Sequence, residues 1–194
     1  MLTVIDNHSV DLARLEPRGT VLDVGCRGLR FARYFAERNF RVIALDPGEI
    51  HPHTSWIEFM PLALSTYTGN AKLVLLDDPE ARYTVGEKDK VDRPHQSVGC
   101  ISLADLMSLC NVRDFELIKL NMEGGEFDIL DQLHAPVARQ IVVSFHEHTP
   151  RKRGQVAIND LIGKLGKWYD VIRHEWDERY CAGRNAWDTV LIRR

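Results

Sequence analysis

The chain alternates short apolar runs with segments that carry apolar residues at helical spacing. Residues 20–24 and 41–45 are almost continuously apolar, as is typical of parallel strands that are covered on both faces. Between these runs, apolar residues recur from Leu29 to Ala36 near the helical period, which predicts a helix. A strand, a helix and a second strand of this kind predict a right-handed βαβ unit.

The same alternation continues to the end of the chain. Further strands are predicted at 56–64, 115–120, 140–145, 169–175 and 187–192, a short hairpin at 72–76 and 82–85, and helices at 102–110, up to 133 and at 156–165. The last two strands leave no room for a helix between them, so they predict an antiparallel hairpin. We therefore expect one α/β domain over residues 1–194, with residues 1–18 as an N-terminal helical extension. Its core would be a mostly parallel seven-stranded sheet with a C-terminal antiparallel hairpin and helices on both faces.

Composition narrows the class of protein. The 194 residues fit one domain of about 150 residues, and the 44% hydrophobic and 27% charged fractions are ordinary for a globular chain. The net charge of −3 provides no overall attraction to nucleic acid or anionic lipid. Apolar runs of about five residues are far shorter than the roughly 20 of a membrane span, and no secretory signal is evident. The four cysteines form no CxxC pair, which indicates free thiols in a cytoplasmic protein.

Four chemically useful side chains lie at or just past the ends of predicted strands. They are Asp23, Asp46, Glu123 and His146. Ligands of open α/β sheets bind beyond the carboxyl ends of the strands, at the point where the strand order reverses. We therefore expect these side chains, which are distant in sequence, to meet in one crevice.

The first two turns are typical of a nucleotide-type site. Gly25 and Gly28 allow the backbone to approach a ligand, and the helix that follows favours a negatively charged group, although such glycines can also serve turn geometry alone. Asp46 lies 23 residues after Asp23, close to the spacing at which a carboxylate reaches ribose hydroxyls. The alternative for Asp46 is a turn aspartate that precedes Pro47.

One longer segment carries a resemblance to a known family. Residues 115–130 read FELIKLNMEGGEFDIL, and this segment resembles the D-L-I-K-I-D-V-E-G-A-E signature of FkbM-family S-adenosylmethionine-dependent methyltransferases. Shorter matches follow the order of that family at 21–25, 62–65 with Gly69, 101–106 and 142–147. Arg27 stands where the family usually has Asn, and Asn121 stands where it usually has Asp.

The resemblance implies a class I methyltransferase-like Rossmann fold, S-adenosylmethionine as cofactor, and methyl transfer to a hydroxyl of a small molecule or sugar. The residues expected to bind the cofactor are Asp23, Gly25, Cys26, Arg27, Gly28, Asp46, Pro47, Ala63, Leu64 and Asn121. Two other functions stay open. The altered first motif and Asn121 fit a non-catalytic module that binds S-adenosylmethionine or a nucleotide. A nicotinamide-dependent oxidoreductase is also conceivable, but the chain lacks GxGxxG.

A hydroxyl acceptor must lose its proton as it attacks, and Glu123 and His146 are the candidate bases. Burial can raise the pKa of a glutamic acid towards neutrality, and that of histidine starts near it. Glu123 could instead face the cationic sulfur or cap the helix that begins near Gly125. Lys119 lies inside a strand, where we expect a structural ion pair because a buried lysine needs a partner.

The remaining polar clusters carry no assignment. His51, His53, His146 and His148 could lie at one rim, but they have no diagnostic ligand spacing, so we assign no metal and interpret them as polar loop residues. The basic runs at 151–153 and 193–194 are interpreted as solvated. We expect a small-molecule or sugar partner and no membrane partner. A nucleic-acid acceptor is disfavoured by the net charge, and oligomeric state is not indicated.

Overall fold

The computed structural model describes residues 1–49, 55–77, 82–146, 154–177 and 186–194. The strands in this part of the chain are β1 Thr3–Ile5, β2 His8–Val10, β3 Thr20–Val24, β4 Arg41–Leu45, β5 Ile57–Met60, β6 Ala63–Ser65, β7 Gly69–Val74, β8 Tyr83–Gly86, β9 His95–Ser102, β10 Phe115–Leu120, β11 Ala138–His146, β12 Tyr169–Asp177 and β13 Ala186–Arg193. The α-helices are α1 Arg30–Ala36, α2 Leu103–Leu109, α3 Glu126–Asp131 and α4 Gln155–Leu165. These bounds confirm most of the predicted strands and helices to within a few residues.

The main sheet has seven strands in the order β12-β13-β11-β10-β3-β4-β5. Strands β3, β4, β5, β10 and β11 pair in parallel, whereas β13 runs antiparallel to both β11 and β12. The sheet is therefore mixed, with the predicted C-terminal hairpin at one edge. The chain leaves β3 towards β4 on one side and returns to β10 on the other, so the order reverses between β3 and β10. This is the α/β, methyltransferase-like arrangement that the sequence predicted.

Alternate side chains of the strands build two cores, one on each face of the main sheet. One face is covered by α1 and by the N-terminal strands, with Phe31 and Phe35 fully buried against Val21 and Val42. The other face is covered by α2, α3 and α4, through Leu106, Phe127 and Leu161. Helices thus lie on both faces of the main sheet, as predicted.

A second sheet of four strands, in the order β6-β9-β7-β8, is inserted between β5 and α2. The predicted hairpin is its antiparallel pair β7 and β8. The run predicted as one strand at 56–64 is two strands, because Pro61 and Leu62 separate β5 in the main sheet from β6 in the inserted sheet. The serine predicted to begin α2 does so, since Ser102 Oγ accepts from the Asp105 backbone N–H at 3.1 Å.

The prediction of a helical extension over residues 1–18 is wrong. Strands β1 and β2 form an antiparallel hairpin there, and only a single 3-10 turn follows at Leu12–Arg14. The turn residues Asp6 and Asn7 both have positive φ, which fits a tight two-residue hairpin. His8, Ser9 and Val10 are all buried, so the segment is held by tertiary packing rather than by helical periodicity.

Two further observations concern the class of protein. In the part of the chain that the structure describes, every helix is too short or too polar to cross a bilayer. Cys26, Cys100 and Cys110 are free thiols and are buried, whereas Cys181 lies outside the described residues. The single domain over residues 1–194 and the cytoplasmic location stay predictions.

Candidate active site

The turn after β3 brings the chain very close to the end of β10. Gly25 has φ +71°, and its backbone N–H donates to the Leu45 carbonyl at 2.9 Å. A Cβ at Gly25 would lie 1.8 Å from the Asn121 carbonyl oxygen, so only glycine fits there. Gly28 also has φ +71°, but among the described residues other than its chain neighbours no atom lies within 4 Å of its Cβ position. The loop is therefore packed at Gly25 and has open space at Gly28.

A buried ion pair holds the backbone of this loop in place. Lys119 Nζ lies 3.0 Å from Asp23 Oδ1, and both side chains are almost completely buried. Lys119 also donates to the carbonyl oxygens of Val24 at 3.2 Å and Gly25 at 2.8 Å. Burial raises the pKa of Asp23, although the ammonium of Lys119 opposes the shift. The expectation of a structural ion pair at Lys119 is confirmed, and Asp23 is its partner.

Asp46 occupies the turn after β4, next to the Gly25 loop. Its Oδ1 accepts from the Gly48 backbone N–H at 2.9 Å across Pro47, so it makes the turn that the alternative interpretation expected. Burial raises the pKa of Asp46, while the hydrogen bond from Gly48 opposes that shift. Arg27 Nε lies 3.7 Å from Glu49 Oε1 on the same rim, and its side chain is 43% exposed. The guanidinium is thus directed to the rim of the loop.

Two other expected cofactor residues lie beside the same loop. The Asn121 backbone N–H donates to the Val24 carbonyl at 3.2 Å, and its side-chain Oδ1 is buried with no hydrogen-bond partner among the described residues. Cys26 is 2% exposed, and burial together with the Asp23 and Asp46 carboxylates raises the pKa of its thiol. The Cys26 side chain is therefore a packed thiol rather than a nucleophile.

The two candidate bases are in contact, and a third residue joins them. His146 Nε2 lies 3.4 Å from Glu123 Oε1, while His146 Nδ1 lies 3.1 Å from Glu126 Oε1. Burial disfavours the charged imidazole, but the hydrogen bond to Glu126 and the two carboxylates outweigh it and raise the pKa of His146. Sequence reasoning missed Glu126 as a site residue, and the one local signal for it is the Glu-x-x-Glu spacing across the start of a predicted helix.

A pocket opens between the start of α3 and the inserted sheet. Its walls include Ser65, Tyr67, Tyr83, Asp89, Glu123 and Asp128. Leu64 lies in this wall, whereas Ala63 is buried in the small core of the inserted sheet. Leu64 thus lies at the pocket, whereas Ala63 does not line it, and a cofactor role for either residue stays a prediction.

Of the four histidines considered for a metal site, only His146 is among the described residues. Within the described ranges, no three His, Cys, Asp or Glu side chains are arranged to hold a metal ion. His146 is enclosed by two carboxylates on opposite ring nitrogens. His51, His53 and His148 lie outside the described residues, as do residues 151–153.

The strand order, the glycine turn after β3 and the Asp46 turn after β4 are those of a methyltransferase-like Rossmann fold. The solved structures to which the chain is similar include several methyltransferases. The Burkholderia thailandensis 1,6-didemethyltoxoflavin-N1-methyltransferase, solved with S-adenosylhomocysteine, is 15% identical with a TM-score of 0.46 over 90% of this chain and 71% of that one. The antibiotic-resistance methyltransferase Kmr is 12% identical with a TM-score of 0.47 over 100% of both chains.

A third similar structure acts on RNA. The 16S rRNA (adenine(1408)-N(1))-methyltransferase from Catenulisporales acidiphilia, as its W203A mutant, is 14% identical with a TM-score of 0.44 over 99% of this chain and 96% of that one. At sequence identities of 12–15%, these similarities concern the fold and do not identify the activity or the acceptor. No protein-family model and no curated protein sequence matches the chain, so the comparisons do not support the FkbM family in particular.

Proposed function

We propose that this protein is an S-adenosylmethionine-dependent methyltransferase that methylates a hydroxyl group of a small molecule or sugar. The observation that carries the proposal is the meeting of Gly25, Asp46 and Asn121 at adjacent strand ends, where the strand order reverses. Open α/β sheets bind their ligands at that point. The FkbM resemblance of residues 115–130 supports the finer assignment of a hydroxyl acceptor.

The residues present fit this cofactor. The buried Oδ1 of Asn121 lacks a partner among the described residues and can accept from a ligand N–H, such as the amino group of the methionyl part. One oxygen of Asp46 accepts from the Gly48 amide, and its carboxylate is of the type that can accept from ribose hydroxyls. The open side of Gly28 leaves room beside the backbone. When bound, S-adenosylmethionine supplies a methyl group that is activated by a cationic sulfur.

The pocket beside α3 suits a small hydroxylated acceptor. The tyrosines, Ser65 and the carboxylates of Asp89 and Asp128 offer hydrogen bonds, and no lysine or arginine is among its described lining residues. A polyanionic acceptor would meet only like charge there, which is unfavourable. Glu123 lies in the same wall, so an acceptor in this pocket has a carboxylate available to take a proton.

Calorimetric titration with S-adenosylmethionine and S-adenosylhomocysteine tests the proposal. We expect saturable binding of both, and Asp46→Ala should weaken it by about 10- to 150-fold, the effect of losing about 1.5–3 kcal/mol of hydrogen bonds to a charged group. Asp131→Ala is the control. Asp131 is the last residue of α3, its side chain is 66% exposed, and it pairs with Lys164. The proposal is wrong if neither compound binds.

The same preparation separates the two remaining functions. Binding of a nicotinamide dinucleotide in place of S-adenosylmethionine would indicate the oxidoreductase. Binding of S-adenosylmethionine without release of S-adenosylhomocysteine, across a screen of small hydroxylated compounds and sugars, would indicate the non-catalytic module. Release of S-adenosylhomocysteine with any of these acceptors supports the proposed transferase.

A further inference from the structure

Glu126 makes three hydrogen bonds at the end of the main sheet. Its Oε1 accepts from the backbone N–H of His146 at 2.9 Å and lies 3.1 Å from the Nδ1 of the same residue. Its Oε2 accepts from the backbone N–H of Gly124 at 2.9 Å. One carboxylate therefore connects the last residue of β11 to the turn that carries Glu123.

Only one member of this cluster reaches the pocket. Glu126 is 0% exposed and His146 is 1% exposed, and neither lines the pocket. The Glu123 side chain is 13% exposed and forms part of the pocket wall. An acceptor can therefore contact Glu123, while Glu126 and His146 act on it from behind.

The Glu123 turn has a conformation that needs support. Glu123 has φ +52° and Gly124 has φ +106°, and a non-glycine residue in the left-handed region costs about 1–2 kcal/mol. Such residues persist where the surroundings over-determine them, and they cluster at functional sites. Glu126 supplies that support, because it binds the amide of Gly124 on one side and the imidazole that faces Glu123 on the other.

The charges around His146 fit the same role. Glu126 and Glu123 face its two ring nitrogens, and both favour the imidazolium, whereas the ammonium of Lys119 opposes it. A carboxylate on Nδ1 also fixes the neutral tautomer with its proton on Nδ1. As the imidazolium, His146 can donate from Nδ1 to Glu126 and from Nε2 to Glu123; in the neutral Nδ1–H form Glu126 still fixes the ring, but Nε2 has no proton for Glu123.

We propose that Glu126, through His146 and the Gly124 amide, is a positioning residue that holds the Glu123 carboxylate in the pocket wall as the proton acceptor of the reaction. This inference rests on the proposed function for its chemistry. The acceptor oxygen gains the methyl carbon as that carbon's bond to sulfur breaks, leaving S-adenosylhomocysteine. The proton that the oxygen loses passes to Glu123 and then to solvent. His146 orients the carboxylate and does not contact the acceptor.

Histidine-labelled protein, followed by nitrogen NMR across pH, tests the arrangement without an acceptor. His146→Gln assigns the resonance. In the wild type we expect the neutral form to carry its proton on Nδ1 and the midpoint to lie above 6.5. Glu126→Gln should lower the midpoint and remove the Nδ1–H preference. Glu123→Gln should lower the midpoint but keep that preference, and it provides the test if Glu126→Gln fails to fold.

Two controls identify the cause of these shifts. Asp128→Asn removes a carboxylate from the same helix that has no described bond to His146, and it should leave the His146 tautomer unchanged. His174 lies in β12, where burial lowers its pKa, and its titration should be the same in every variant. An Nε2–H tautomer in the wild type, or a His146 titration that neither Glu variant alters, would overturn the inference.

Turnover with an acceptor from the hydroxyl screen tests the catalytic consequence. Glu126→Gln should lower kcat by about tenfold or more. This loss should be smaller than the roughly 10²–10⁴-fold loss expected when a general base itself is removed. The Kd for S-adenosylmethionine should stay within about twofold, since Glu126 lies outside the Asp46 and Asn121 contacts. An unchanged kcat overturns the positioning role. If the wild type does not bind S-adenosylmethionine, the proposed function is wrong, but the NMR result on His146 still holds.

Discussion

The buried pair of Lys119 and Asp23 makes the strongest stability prediction. Both side chains are at most 3% exposed, and their charged atoms are 3.0 Å apart. Lys119→Met keeps a chain of similar length but leaves the Asp23 carboxylate buried without its partner. Removal of one member of a buried pair costs about 3–5 kcal/mol. For a chain of this size that corresponds to a fall of about 6–20 °C in Tm.

The pH dependence of this loss has a definite sign. The pKa of Asp23 is raised by burial even with Lys119 present, so the folded state holds its proton more firmly than the unfolded state. The stability from this group is fully present below the ordinary pKa of 3.8 and is lost as pH rises through the folded-state pKa. Lys119→Met raises that pKa further. The destabilisation should therefore be large near pH 7 and shrink on acidification.

Urea denaturation across this pH range, followed by circular dichroism, measures the effect. Asp23→Asn in the Lys119→Met background removes the uncompensated charge. The double variant should be less destabilised than the sum of the two single variants, by about 0.5–3 kcal/mol. A Lys119→Met loss below about 1 kcal/mol, or a loss that does not change with pH, would refute this account of the pair.

Three further predictions concern single substitutions, each measured by urea denaturation. Gly25→Ala should cost more than Gly28→Ala, because both have φ +71° but only at Gly25 does a Cβ meet the Asn121 carbonyl, at 1.8 Å; equal losses would contradict this. Ser102→Ala should cost about 0.5–2 kcal/mol by removing the α2 cap, and Ser102→Thr should restore most of it. Tyr169→Phe should cost about 1–3 kcal/mol, because its hydroxyl binds the backbone at the start of β11 and would leave a buried carbonyl unpaired; a neutral effect would show that water replaces it.

The main sheet was predictable because its signals are local and strong. Strands β3, β4 and β10 are mostly apolar runs, and the structure gives them the predicted bounds of 20–24, 41–45 and 115–120. Their order along the sheet follows from the right-handed crossovers and the short connection before the last strand. The meeting of Asp46 and Gly25 at neighbouring strand ends follows from that order alone.

The N-terminal hairpin could not be read from local pattern. Residues 3–10 read TVIDNHSV, with polar residues at positions that turn out to be buried. His8 is 2% exposed because it bonds Ser144 at 3.2 Å and packs edge-on against Phe31, 5.7 Å between ring centroids. These partners are 136 and 23 residues away in sequence, so a short sequence window around His8 contains neither of them.

Glu126 was missed for a related reason. A glutamate in the first turn of a helix is ordinarily a solvated residue that complements the helix dipole. Here β11 ends beside α3, and this places the His146 backbone and ring against the carboxylate. The register of β11 on β10 determines that contact, and the sequence predicts the pairing of these strands but not which side chain ends up opposite the helix.

The inserted sheet explains how a chain with no second predicted domain can form an acceptor pocket. Residues 76–98 carry no motif, yet Tyr83 and Asp89 from this stretch line the pocket together with the Glu123 turn. The proposed base therefore lies in the turn after a strand of the main sheet, whereas Tyr83, which would help to select the acceptor, lies on the inserted sheet. Substitutions in β8 should then change which acceptor is methylated while leaving the titration of His146 unchanged, because β8 contributes no group to that cluster.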